Sequence, residues 1–266
     1  MDHLQMASLN NRKFNFIVIP YCKGWLGLTL LLFLITSCGK DNAFDMFQST
    51  GPIERKQREI SGYFERVSLN DNINLVLTQG DSSKIEIEGG SHLLSDITTE
   101  ISDSTLTIHN RNKYNWVRSY DKKITVYLQL SHISMIRYES SGNISTTDTI
   151  REDSLRVEAW GGSGTIAMSI DCGSIWLVQH YGSMDFDISG KNGVTYIYAG
   201  SYGAFHCLGL KSDITFLRSE GTNDCYVNAK DWITADIRSS GNTYYSGNPG
   251  LVSRTGSGSG NLIPIE

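Results

Sequence analysis

Three kinds of side chain in this sequence could support chemistry: histidines near carboxylates, paired carboxylates on one strand, and cysteines. The six histidines are His3, His92, His109, His132, His180 and His206. A metal or general-base role would need a second ligand or acid at fixed spacing, as in H-E-x-x-H, and none of the six has one. His180 with Asp185 and Asp187 comes nearest to an acid–base set, because the three flank one Gly corner. A catalytic site needs several groups converging in a pocket, and a solvated corner accounts for the same residues. Glu86 and Glu88 share one face of a strand at i and i+2, where solubility explains them as well as acid–base work does. "GGSG" at 161–164 opens no helix, so it lacks the terminus that would cradle a phosphate. The sequence therefore predicts no enzyme, no catalytic set, no metal and no cofactor.

The cysteines divide by position. After Arg12, Lys13 and Lys23 comes the apolar run "WLGLTLLLFLI", Trp25 to Ile35, then "TSCGKD". Eleven residues match the apolar core of a signal peptide and fall short of the ~20 needed to span a bilayer. Ile35-Thr36-Ser37-Cys38 resembles a bacterial lipobox, in which the Cys is lipidated and becomes the mature N-terminus. The expectation is a signal peptide over 1–37, cleaved before Cys38, and a membrane-held chain, since more than one acyl chain anchors stably. Gly39 in place of Asp after that Cys points to the outer membrane, and Lys40-Asp41 has the look of a surface-export tract; the periplasmic face and the cell surface are both open. Cys172, Cys207 and Cys225 are left, an odd number without zinc spacing, and read as small buried apolar residues.

The elements that carry these residues are strands. The chain has 266 residues, 39% hydrophobic and 19% charged, with a formal charge of −5 and no basic run, which excludes a nucleic-acid partner. Residues 38–60 read as a flexible tether. From 61 onward apolar and polar residues alternate in short runs, "NINLVLTQG", "KIEIEGG", "TLTIHN" and "KITVYLQL", bounded by Gly, Asn, Asp and Ser. This predicts an all-β chain, with a β-rich head over 61–138.

Residues 139–266 repeat. Gly142, Gly164, Gly182, Gly203, Gly221, Gly241 and Gly260 are separated by 22, 18, 21, 18, 20 and 19 residues, each with a strand before and after. A unit this short cannot bury its own apolar stripe, so the units must stack, which predicts a right-handed parallel β-solenoid with Ser-Gly-Asn corners. A sandwich or barrel of hairpins would not demand Gly at one phase in every unit. Aligning leading strands on their first apolar residue gives inward columns Leu155, Ile175, Val194, Ile214, Ile233, Leu251 and Val157, Leu177, Tyr196, Phe216, Ala235, with Ile166, Met184, Phe205, Cys225 and Leu262 on the trailing side. It also places Val178, Ile197 and Leu217 outward, to be covered by the head or by a partner. Trp160, Tyr181 and Tyr202 stand beside successive Gly nodes and are expected to form an aromatic row. "SEGTNDCY" lacks the usual apolar residue after Gly221, and a bulge is expected there.

From Arg58 to Glu266 the chain resembles the putative auto-transporter adhesin, head GIN domain family. The resemblance rests on "REISGYFERVSLNDNINLVLTQGDSSKIEIEGG", on Phe64, Val67, Leu69, Ile73, Leu75, Leu77 and Gly80 within it, on "SDITTEISDSTLTI" and "KITVYLQLSHISMIRYESSGNI", and on the Ser-Gly-Asn coils. It implies a right-handed β-helical secreted or surface lipoprotein with no established enzymatic activity. The function expected is an envelope protein presenting a binding surface, an adhesin whose partner is a glycan or an envelope or host protein. A polysaccharide-lyase-like enzyme on the same scaffold and a periplasmic protein-binding scaffold are the alternatives.

Overall fold

Stacked strands meeting at glycine corners build the protein. The computed structural model describes residues 49–112 and 123–266; the expected signal peptide, Cys38 and the first part of the expected tether lie outside them. The strands are β1 (Ile53–Arg58), β2 (Arg66–Asp71), β3 (Ile73–Gln79), β4 (Lys84–Gly90), β5 (Ile97–Ser102), β6 (Thr105–Asn110), β7 (Ile124–Leu130), β8 (Met135–Ser140), β9 (Ile144–Thr146), β10 (Ile150–Gly162), β11 (Thr165–Gln179), β12 (Asp185–Ala199), β13 (Phe205–Cys207), β14 (Leu210–Ser219), β15 (Cys225–Asn228), β16 (Trp232–Ile237), β17 (Thr243–Ser246), β18 (Leu251–Thr255) and β19 (Leu262–Pro264). No α-helix occurs among the described residues.

Two parallel ladders run the length of the stack. The leading ladder joins β6, β2, β8, β10, the second halves of β11 and β12, then β14, β16 and β18. The trailing ladder joins β7, β3, β9, the first halves of β11 and β12, then β13, β15, β17 and β19. From β8–β9 onward each coil is one leading strand, a Gly corner and one trailing strand, while β2–β3 turns at Asp71 (φ 65°) and Asn72, so the expected β-solenoid with its β-rich head is the observed fold.

The head continues the stack instead of lying over its flank. Strands β2 and β3 form a coil between β8–β9 on one side and β6–β7 on the other. Beyond β6–β7 the chain direction reverses: β5 pairs antiparallel with β6, β4 with β7, and β1 with β4. Strand β1 takes in residues 53–58 of the expected tether, and coil geometry already begins at Met135, four residues inside the expected head. The outermost strand carries Glu54, Arg55 and Lys56, charges of the kind that protect an exposed sheet edge.

The corners explain the repeated glycine. At Gly142, Gly203, Gly221, Gly241 and Gly260 a methyl group would overlap the carbonyl oxygen of Ile73, Met184, Ser201, Asn223 and Gly241, respectively. Close approach to the neighbouring coil is therefore the common requirement. Only Gly164 and Gly182 among the seven nodes also need a positive φ, at 114° and 96°. The expected bulge after Gly221 is absent, since β15 pairs in register with β13 and β17. The Asp224 carboxylate accepts the Asn242 backbone N–H at 2.8 Å and steadies that corner. A register shift falls instead between Ala159 and Gly161.

Candidate functional site

Register decides which side chains face out on the leading ladder. Leu177, Ile197 and Leu217 are aligned and buried, as are Ile175, Thr195 and Thr215. Ile197 and Leu217 therefore belong to the inward column, contrary to the outward placement expected for them, and Val194, Ile214, Tyr196 and Phe216 move to the outside. The alignment on first apolar residues slipped by one in these coils, and a slip of one exchanges the two faces of a strand. Val252 rather than Leu251 aligns with Ile233 in the last coil. On the trailing side Ile166 pairs with Phe186, not Met184, and Phe186 stacks on Phe205 with ring centroids 4.6 Å apart.

The slip hid the main outward feature. Trp176, Tyr196 and Phe216 form a ladder of stacked rings, 4.9 Å and 5.4 Å between centroids and 8° and 19° between planes, and Trp232 meets Phe216 edge-on at 5.2 Å. These spacings follow the distance between paired strands. Beside the ladder runs the outward column Arg137, Glu158, Val178, Tyr198, Arg218, Asp236, in register from strand to strand. Between the columns lies an apolar groove of about 430 Å³, floored by Val178 and walled by Trp176, Tyr196, Tyr198 and His180. Val178 is thus the member of the expected outward column whose side chain faces out, while Ile197 and Leu217, packed in the core, also border the groove. All residues lining the groove belong to β10–β16 and the residues beside them, so the head does not line it.

The groove ends in charge pairs. Arg156 and Trp160 Nε1 both donate to the Glu158 carboxylate, the indole at 3.0 Å. Burial by itself would raise the Glu158 carboxyl, but these two hydrogen bonds and the Arg156 charge hold it below the ordinary carboxylate range. At the other end Tyr198 donates to Glu220 at 2.8 Å and Arg218 Nε donates to it at 2.8 Å, which lowers the Glu220 carboxyl and raises the Tyr198 phenol.

The expected aromatic row is not one row. Trp160 stacks on His180 at 3.8 Å, with the Arg137 guanidinium 5.2 Å from its ring centre, so its faces are occupied. Tyr181 and Tyr202 project from adjacent corners, 65% and 68% exposed, and neither makes a ring contact among the described residues.

The candidate acid–base groups are placed apart. His180 packs against Trp160 and Tyr198 while Asp185 accepts the Ala204 backbone N–H at 2.8 Å. Glu86 is bound by Arg55 at 2.5 Å. His132 contacts the Glu152 carboxylate, which also accepts the Ile133 backbone N–H at 2.8 Å and so pins a loop to β10. Among the described residues no three His, Cys, Asp or Glu side chains come together as a metal site. Cys172, Cys207 and Cys225 are free and buried, and burial pushes the Cys172 thiol up to about 11 and Cys225 up to about 12.

The coil pattern and its head match the family described as putative auto-transporter adhesin, head GIN domain, over residues 63–249. The chain belongs to this family. Three crystal structures share the head GIN fold. A putative adhesin from Bacteroides fragilis NCTC 9343 superposes with a TM-score of 0.72 at 20% identity, covering 80% of this chain and 97% of its own. A putative adhesin from Parabacteroides distasonis ATCC 8503 gives 0.58 at 17% identity, covering 81% and 98%. A protein from the same organism titled a putative lipid binding protein gives 0.58 at 16% identity, again covering 81% and 98%. No curated protein matches. Within this head GIN chain the sequence pointed to corner aromatics and missed the ring ladder, whose signal was the recurrence of Trp176, Tyr196 and Phe216 at intervals of 20 residues.

Proposed function

We propose that this head GIN protein is an adhesin, held to the outer membrane through lipidated Cys38 and presenting the corner edge of its coils to a glycan or protein on another surface. Tyr181 and Tyr202 carry the reading. They are large aromatic side chains on neighbouring coils with their ring faces free, and exposed aromatics of this kind supply contact area at small entropic cost. A sugar ring or a flat peptide edge can lie against them. The stacked rings of the groove offer only their edges. Family membership supports the adhesin class, and the lipobox supports the anchor.

Two measurements test this. Cys38→Ser should abolish metabolic palmitate labelling and release the protein from the detergent phase; labelling that persists removes the anchor from the reading. Tyr181→Ala with Tyr202→Ala should keep the thermal transition while lowering binding on a glycan array, or attachment of cells, by about tenfold or more. Unchanged binding by the folded double variant rejects the corner as the adhesive site.

A further inference from the structure

The outward leading face has a charge order that is its own complement. Read along the stack, one column runs Arg137, Glu158, Val178, Tyr198, Arg218, Asp236. Turn a second copy over about an axis lying in the sheet plane, parallel to the strands and midway between Val178 and Tyr198. Each column then faces itself in reverse. Val178 meets Tyr198 of the second copy, Glu158 meets Arg218, and Arg137 meets Asp236. Two residues further along, Glu139 of β8 and Arg238, which follows β16, meet as well. On the aromatic side Trp176 meets Tyr196, and Arg156 lies opposite Phe216. Every charged pair that this one rotation brings together in these columns is of opposite sign.

We propose that this face joins two copies of the chain, face to face and antiparallel. The occupant of the groove is thus a second copy. Its anatomy fits: an apolar centre of Val178, Trp176, Tyr196, Tyr198 and Phe216 between charged ends whose cations are arginines, as in protein interfaces. A two-fold contact requires exactly such self-complementarity of one patch, which a foreign partner would not impose. A glycan fits less well because the ladder rings cover each other's faces at 4.9 Å and 5.4 Å. The corner tyrosines do not line the groove, so each dimer offers two adhesive edges and a gain in avidity.

The test is a charge-reversal cycle on the full chain in detergent at a large excess of micelles, with mass read by sedimentation velocity. Within one chain Glu139 and Arg238 stand five coils apart, about 24 Å at the strand spacing, so they interact only between copies. The unmodified chain should be a dimer. Glu139→Lys and Arg238→Glu should each weaken it by about tenfold or more, and the double variant should regain dimerisation. Val178→Arg should give a monomer. Both charge sites are exposed, so folding of the singles is checked by an unchanged thermal transition. A monomeric unmodified chain, or a folded double variant no better than the singles, overturns the proposal. Loss of the dimer with glycan binding per chain intact would leave the corner reading standing, and the reverse result would leave the dimer standing.

Discussion

The two sides of the leading sheet share the same strands and follow different rules. Inside, where each coil must fit above the next, the columns hold Ile175, Thr195, Thr215 and Leu177, Ile197, Leu217, with Ala159, Gln179, Ala199 and Ser219 nearest the corner. Outside, where side chains have room, stand Trp176, Tyr196, Tyr198 and Phe216. From β10 to β14 side-chain volume, more than polarity, separates the two, while in β8 the ring of Tyr138 fills the inward position in register with Ala159. Thr195 and Thr215 are fully buried because they are small and their hydroxyls are bonded: Thr195 to Ser212 at 2.5 Å and Asn192 at 3.2 Å, Thr215 to the Asn228 carbonyl at 2.9 Å.

Substitutions along one strand pair should grade accordingly. Leu177→Ala opens a cavity in the inner column and should cost about 3 kcal/mol in denaturant unfolding. If its cost equals that of an outer residue, the inward assignment fails. Thr195→Val keeps the shape but strips hydrogen bonds from Asn192 and Ser212, and should cost about 2 kcal/mol. A stabilised variant would mean that the polar stack is dispensable. Tyr196→Ala removes two ring contacts from the outer ladder and should cost about 1 kcal/mol in dilute protein. A loss as large as that of Leu177→Ala would show that the outer ladder, too, behaves as core.

The smallest effect is electrostatic. The Glu158 and Glu220 carboxyls are lowered in the folded chain, so their contribution is complete above the ordinary carboxylate range and is lost as pH falls through the lowered values. Thermal melts carried from neutral pH to about pH 3 should show a decline that is shallower in Glu158→Gln. Equal slopes would place the acid sensitivity elsewhere.

How much of this was legible depended on the kind of signal. The strands and the glycine period were readable because period-two alternation and corner spacing are local and repeat. Facing was not, because the chain from each Gly node to the next leading strand varies in length, and Val194 and Ile214 look like better core residues than Thr195 and Thr215. Only inter-strand register resolves that choice. The head's position was also closed to sequence, since β6–β7 inserts beneath β2–β3 without any change of composition. The Trp160–His180 stack could not be read from spacing that paired Trp160 with Tyr181.

That inserted layer has a consequence for the order in which the chain takes shape. Strands β2 and β3 leave the ribosome before both coils they lie between, so they have no floor until β6 and β7 exist. The nucleus must wait for residue 130, and from there each coil condenses on a finished template, as in other stacked arrays. Growth then runs one way, toward the C-terminus. Pulse-labelled hydrogen exchange should find β2, β3, β6 and β7 gaining protection together and ahead of β16 to β19; the opposite order would place the nucleus among the coils.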